Sequence, residues 1–288
     1  MKIKESITYR IFDILNYIFL GALSLVFFLP LWYVLVSSFS NGFAVMRNET
    51  FLFPVKFNMD SYKAIFRIPD FVKAYKNTIG FAGAGVFMSM ILTILCAFPL
   101  SRPNLYGRKI FSVIVLLTMF FSGGVVPTYI IVTQTLQLRG HLITPLLIST
   151  LNVFNMILMR TFFQGLPESL FESARIDGAN ELSILAKIVL PLSKPILATV
   201  FLYYSVDLWN SYFNFSLYLR DHFPLQVFIK NFIINGVTGD VAQSFTGNVS
   251  DTTVKYAIIV VTLVPILSLY PFIQKYLIKG TLVGAIKG

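Results

Sequence analysis

Six apolar runs, each about as long as a bilayer is thick, leave this chain few ways to fold. A helix that crosses the hydrocarbon core needs roughly 20 consecutive apolar residues and must satisfy its backbone polar groups internally. Runs of this kind cover about 14–38, 78–100, 110–132, 142–162, 196–217 and 254–276. Charge is scarce to match: only 12% of the 288 residues are Asp, Glu, Lys or Arg, about half the share of a soluble domain. The sequence therefore predicts an all-α membrane protein, one domain over 1–288, with six transmembrane helices. Pro30, Pro99, Pro127, Pro145 and Pro265 lie within or at the ends of these runs, where neighbouring helices can re-satisfy the backbone groups that proline frees.

Several chemistries have no residues to run on. Cys96 is the single cysteine, so no disulfide or cysteine-based metal site forms within the chain. His141 and His222 stand alone at segment edges, without the ligand spacing zinc requires. No GxxxxGK[ST] phosphate loop occurs, so the chain does not bind ATP by that route. No nucleophile–base pair or facing carboxylates suggest a catalytic residue. The net charge of +10 suits an anionic inner leaflet of membrane lipid, and nothing resembles a nucleic-acid module. The first apolar run is longer than the core of a signal peptide and lacks a small-residue cleavage site, which predicts a retained first span.

Lys and Arg in short loops set orientation. Thirteen of them fall on the side of the two termini and ten on the other. The short loop Ser101–Lys109, with Arg102, Arg108 and Lys109, is the clearest cytoplasmic vote, and six of the ten opposing charges lie in the long segment Phe39–Asn77. This places both termini in the cytoplasm. Outside, Phe39–Asn77 is expected to hold a short interfacial helix, and the polar stretch Gly236–Thr253 to form a loop over the outer mouth.

The connection between the fourth and fifth runs, 168–190, is too structured for a simple turn. Pro167 precedes a helix from Glu168 to Asp177, with Glu168 at its positively polarised N-terminus. Leu170, Phe171 and Ala174 form an apolar stripe at helical spacing. Gly178 breaks the helix. Asn180 can cap a second one, with Ile184, Leu185 and Ile188 on one face and Pro191 and Pro195 ending it. Periodicity leaves two readings open: a helix pair lying in the headgroup layer, or a lever with a knob for a soluble partner.

The residues of this loop resemble a known pattern. Glu172-Ser173-Ala174, then Asp177-Gly178-Ala179, then Ile188-Val189-Leu190-Pro191 resemble the EAA loop of ABC importer permeases. Ser173 stands where alanine is commonest, a small-for-small change. The likeness extends to SGGVVPTYIIV at 122–132, PLSKPILATVFLYYSVDLWNSYFN at 191–214 and YPFIQKYLIKGTLVGAIKG at 270–288. These look like the carbohydrate branch, nearest to polysaccharide- and oligosaccharide-importing permeases of the maltose-type second subunit. The resemblance implies the type I ABC importer permease fold. It implies that Glu168, Phe171, Glu172, Ser173, Ala174, Asp177, Gly178 and Ala179 couple to a cytoplasmic ATPase dimer. ATP and Mg would sit on that dimer, not on this chain. It further implies a heterodimer with a second, similar permease, an extracellular or periplasmic sugar-binding protein, and a bacterial cell membrane. In relatives the C-terminal tail reaches toward the ATPase, which makes Lys279, Gly280, Lys287 and Gly288 contact candidates, the alternative being a basic tail on anionic lipid.

Within the fifth run, Asp207 is an ionisable residue at membrane depth, a functional candidate because it is costly there. Asp207, Asn210, Ser211 and Asn214 recur at helical spacing and can share a face, with Trp209 and Tyr212 adding aromatic surface. Hydrogen-bonding groups beside flat apolar rings suit a sugar, and Trp209-Asn210 matches the family's W-N. Helix–helix hydrogen bonding is the competing explanation. Tyr129 and Asn152 are further candidates for the substrate pathway, with Gln134 and Asn155 beside them. Gly80–Gly85 permits close helix approach.

The leading reading is a sugar-translocating subunit driven by a separate ATPase. An ion-coupled secondary sugar transporter would need broken repeats and several intramembrane charges, and only Asp207 qualifies. A membrane enzyme would need the acidic residues Glu168, Glu172, Asp177 and Glu181 to face a partner set for acid–base work, and the sequence offers none.

Overall fold

Length alone explains the first element, α1 (Ile7–Ser38): its apolar side chains are exposed along most of its length, the surface that lipid rather than water accepts. The computed structural model describes residues 7–235 and 249–285, and among them every regular element is a helix. Lys287 and Gly288 of the expected tail contact lie outside the described residues, and of Lys279 and Gly280 only the helical backbone is described. So does most of the expected outer loop at Gly236–Thr253.

The chain divides into two compact units. One comprises the residues up to Pro69 with Asn231–Leu263; the other comprises Asp70–Lys230 and the residues from Val264 onward. In the first, α1 leads into α2 (Gly42–Met46), capped by Asn41, and α3 (Asp60–Arg67). The latter is the short helix expected in Phe39–Asn77. Phe39 stacks on Phe57 at 5.4 Å and meets the tilted Tyr62 ring at 4.8 Å between centroids, while the Tyr62 hydroxyl lies 2.7 Å from Ser38 Oγ. Burial pushes the Tyr62 phenol up, and the Ser38 hydrogen bond opposes it.

Most of the remaining helices lie in the second unit, and the last two are divided between the units, after Lys230 and after Leu263. α4 (Pro69–Ser101) is followed by α5 (Arg108–Phe120) and α6 (Val125–Ile130), which continues as a π-helical turn over Ile131–Thr135. Next come α7 (Thr144–Ser149), α8 (Val153–Gln164) and α9 (Glu168–Ile176). α10 (Glu181–Ile184) runs through a π-helical turn, Leu185–Val189, into α11 (Leu190–Leu192). α12 (Lys194–Trp209) and α13 (Phe213–Tyr218) precede α14 (Leu225–Asn235), and α15 (Asp251–Ala285) closes the chain.

Among the described residues three helices, α1, α4 and α15, are long and apolar enough to cross a membrane, and two bent pairs bring the number to five if each is one span. The structure therefore differs from six unbroken spans. The run 110–132 is divided by a 108° bend between Arg108–Phe120 and Val125–Thr135. Gly124 there has φ +81°, a backbone state that glycine adopts without the Cβ clash of other residues. The run 142–162 is divided at Asn152, whose side chain accepts from the Asn155 N–H and so starts α8 as an N-cap. The run 196–217 stops at Trp209, and Asn210–Tyr212 turn before α13. Pro191 does not end the second loop helix. It sits in the first turn of α11, and the 85° bend falls after Leu192.

Two of the clusters of buried apolar side chains in this unit are that of Leu146, Phe215, Leu219 and Val227 and a core that reaches the connection. The latter joins Val86, Ala97 and Phe98 of α4 with Met156, Met159 and Phe163 of α8 and Val200, Tyr204 and Leu208 of α12. Phe171, Ala174, Ile184, Leu185 and Val189 of the connection belong to the same core. Gly85 makes the α4–α12 approach possible: a Cβ there would lie 2.8 Å from Leu208 Cδ1 and 3.2 Å from Leu146 Cδ2.

Candidate functional site

The connection 168–190 is built from local signals. Pro167 stands at the N-cap of α9 with its φ of −58° and no amide hydrogen to orphan, and Glu168 occupies the first turn. At the other end the Gly178 N–H donates to the Arg175 carbonyl at 3.0 Å and the Ala179 N–H to the Ala174 carbonyl at 2.9 Å. This pair of bonds is the Schellman closure, which needs a left-handed residue between them. Gly178 supplies it at φ +78°. Two residues on, the Asn180 side chain accepts from the Ser183 N–H at 2.8 Å and caps α10.

The two faces of α9 have different surroundings. Phe171 is fully buried and Ala174 nearly so, both packed into the core. Glu172, Ser173, Asp177 and Gly178 are exposed, and Ala179 is half-buried. The most exposed large apolar side chain of the loop is Ile176, at 86%. Sequence reasoning missed it. Its signal was an apolar residue off the Phe171–Ala174 stripe, beside Asp177.

A chain of alternating charges runs through the loop. Arg102, one residue beyond the end of α4, places Nη1 3.5 Å from Glu168 Oε2. Glu168 Oε1 lies 3.8 Å from Arg175, and Arg175 bonds Glu181 Oε1 at 3.0 Å through Nε and Nη2. Arg102 is 6% exposed. Its Nη2 donates to the Phe163 carbonyl at 2.8 Å and its Nε to Ser101 Oγ at 3.0 Å. Its guanidinium also lies 3.7 Å from the Phe171 ring centre, within cation–π range. Burial pushes this guanidinium down from its ordinary value, and Glu168 opposes the shift. Sequence reasoning counted Arg102 only as a vote for orientation.

The residues expected along the substrate pathway separate. Asp207 is exposed on α12 and has no ion-pair partner among the described residues. Asn210 is exposed, and its Oδ1 accepts from Gln226 Nε2 at 3.3 Å. Tyr212 is half-buried and shares a hydrogen bond with Lys230, whose ammonium lies 4.4 Å from its ring centre. Ser211 is half-buried in the turn. Because α12 ends at Trp209, Asp207, Asn210, Ser211 and Asn214 do not share a continuous helix face. Trp209 is buried, edge-on to Tyr75 at 5.9 Å, and so is packed in the protein rather than presented to a ligand. Asn214 Nδ2 donates to Ser149 Oγ at 3.2 Å, an interhelix contact, and Asn152 is occupied as a cap. Tyr129 stacks on Tyr218 at 5.8 Å with Arg139 at 6.0 Å from its ring centre. No group of His, Cys, Asp and Glu among the described residues could hold a metal ion.

Comparison with known proteins adds four matches. The family model described as the binding-protein-dependent transport system inner membrane component matches residues 84–283. The polygalacturonan/rhamnogalacturonan transport system permease protein YtcP of Bacillus subtilis (strain 168) is 40% identical over 97% of this chain and 99% of its own length. Protein LplC of the same organism is 37% identical over 97% of this chain and 96% of its own. Among solved structures, a bacterial ABC transporter involved in the import of the acidic polysaccharide alginate has a chain that superposes with a TM-score of 0.90 at 36% identity. That match covers 96% of this chain and 99% of the other.

Proposed function

Because this chain belongs to the family of binding-protein-dependent transport system inner membrane components, we propose that it is the permease subunit of an ATP-driven importer that carries a polysaccharide or oligosaccharide into the cytoplasm. The observation that carries this reading is near full-length similarity to a polygalacturonan/rhamnogalacturonan permease and to an alginate importer. Both names contain a polyuronate, and we infer that an acidic glycan is the substrate class. The comparisons lend no support to an ion-coupled secondary transporter.

In this reading α9 is the coupling helix. Its exposed side, Glu172, Ser173, Ile176 and Asp177, meets a cytoplasmic ATPase, while Phe171 and Ala174 fasten it to the membrane core. ATP and Mg bind the ATPase dimer. A second permease subunit completes the pathway, and an external binding protein delivers the glycan. Both termini lie in the cytoplasm, and α7 with α8 makes the fourth of six crossings. Lys279, Gly280, Lys287 and Gly288 are kept as the secondary candidates for contact with the ATPase. Asp207, Asn210 and Tyr212, which remain accessible, are the pathway residues this reading retains.

The test is uptake of labelled oligogalacturonate by proteoliposomes holding the whole importer and its binding protein. Uptake is expected only with internal ATP and to stop with vanadate. A cysteine at Glu172 is expected to crosslink to the ATPase. Uptake that persists without ATP and collapses with the ion gradient would overturn the reading.

A further inference from the structure

We propose that Arg102 is a positioning residue that ties the coupling helix α9 to the end of α4, so that the two move as one body during transport. The inference rests on the reading of α9 as the element that receives force from the ATPase.

Two covalent routes leave the loop, through Gly165–Pro167 to α8 and through Ser193 to α12. Neither leads directly to α4, which ends at Ser101, 67 positions before Glu168, and of which Asp70 to Ser101 belong to the same unit. Apolar packing fills only part of the gap. A cavity of about 320 Å³ opens between the end of α4 and α10, lined by Phe98, Leu105, Leu182 and Leu185. Around this cavity the two elements meet through fewer direct side-chain contacts than in the core.

Arg102 and Arg175 stand at the polar side of this cavity, and the connection runs through them. The Arg102 guanidinium is engaged on three sides. Its Nη2 donates to the Phe163 carbonyl of α8, its Nη1 faces the carboxylate of Glu168 in the first turn of α9 as an ion pair at 3.5 Å, and its plane lies over the Phe171 ring. A planar guanidinium can make all three contacts at once, since it offers five donors in one plane and a flat surface above them. A lysine ammonium offers charge without the plane. From Glu168 the charges continue through Arg175 to Glu181 on α10. Four residues thus link the end of α4 to both loop helices, beside the apolar contacts that Phe98 makes in the shared core. Coupling between sites is carried by such networks and by rigid elements, not by proximity.

The experiment uses the complete importer in proteoliposomes, in a Cys96→Ala background. Spin labels are placed at Tyr106, which is 97% exposed just beyond α4, and at exposed Lys187 in the loop. With Arg102 present, one narrow distance distribution is expected, unchanged between the ATP-free and ADP–vanadate-trapped states. With Arg102→Met the distribution is expected to broaden and to differ between those states. ATP hydrolysed per oligogalacturonate imported is expected to rise at least tenfold, with basal hydrolysis retained. Arg102→Lys, which keeps the ion pair with Glu168 but not the face over Phe171, is expected to fall between.

A distance that changes with ATP while Arg102 is intact overturns the proposal without any variant, so failure of Arg102→Met to assemble leaves it testable. An unchanged distribution and unchanged coupling in both variants overturn it as well. If instead the Glu172 cysteine fails to crosslink to the ATPase, the coupling-helix reading fails, and the two failures are distinguishable.

Discussion

The hydroxyl of Tyr204 on α12 lies 2.7 Å from that of Thr93 on α4 and accepts the Asn152 N–H at 3.1 Å. Tyr204 is 1% exposed, and Thr93 is fully buried. One side-chain oxygen therefore satisfies polar groups from two other segments in an apolar core. Tyr204→Phe should leave a buried hydroxyl and a backbone N–H without this partner, at about 1–2 kcal/mol. The measurement is the thermal unfolding midpoint in detergent. Adding Thr93→Val should recover part of the loss, because it removes the orphaned hydroxyl. A midpoint equal to wild type in Tyr204→Phe would contradict the bonding described.

Gly178 separates conformation from space. A Cβ there meets nothing within 4 Å, yet φ is +78°. Gly178→Ala should therefore cost about 1 kcal/mol from the left-handed backbone alone, and Gly178→Asn less. Gly178→Pro should cost more than either, since it fixes φ near −65° and removes the N–H that bonds Arg175. ATP-driven uptake should fall in the order Asn, Ala, Pro. Full transport by Gly178→Pro would falsify the assigned turn.

Gly85 is the opposite case, helical and short of space. Gly85→Ala can be met by a shift of the Leu208 side-chain end, whereas Gly85→Leu should force α4 and α12 apart at about 1–3 kcal/mol. Leu208→Ala in the same chain should restore part of the loss. Folded yield and unfolding midpoint of the single and double variants measure this directly.

Ile176→Lys should leave the unfolding midpoint unchanged within about 0.5 kcal/mol, because the side chain is 86% exposed. Burial of such a side chain against a partner is worth about 1.5–3 kcal/mol. Co-purification of the ATPase with the permease should accordingly drop about tenfold or more. Equal recovery of the ATPase would remove Ile176 from the docking surface.

What could be read in advance depended on the range of the signal. Pro167, Gly178 and Asn180 act within four residues of themselves, and the helix–turn–helix they define is present in the structure. The long helices α1, α4 and α15 were legible because apolar length is a sum over many residues. Breaks inside apolar runs were not legible. Gly123-Gly124, Asn152 and Asn210-Ser211-Tyr212 interrupt hydropathy too little to be distinguished from an unbroken span. For the same reason Asn152 and Trp209 were taken for ligand-facing groups. The cap that Asn152 gives α8 is local but hidden inside an apolar run, whereas the ring contact of Trp209 with Tyr75 depends on which segments meet. Arg102 was the furthest out of reach, since its partners Phe163, Glu168 and Phe171 become neighbours only when α4, α8 and α9 pack.

The 85° bend between Glu181–Leu192 and Lys194–Trp209 makes this part of the chain a crank. Motion along one arm of a near-right angle has almost no component along the other. On the reading of this loop as the element that takes force from the ATPase, a thrust down the axis of the loop helix would therefore turn α12 about the corner at Ser193 rather than push it lengthwise. Ser193 is fully buried, so the pivot is enclosed by the protein, and the swept end of the arm is the one that carries Asp207 and Asn210.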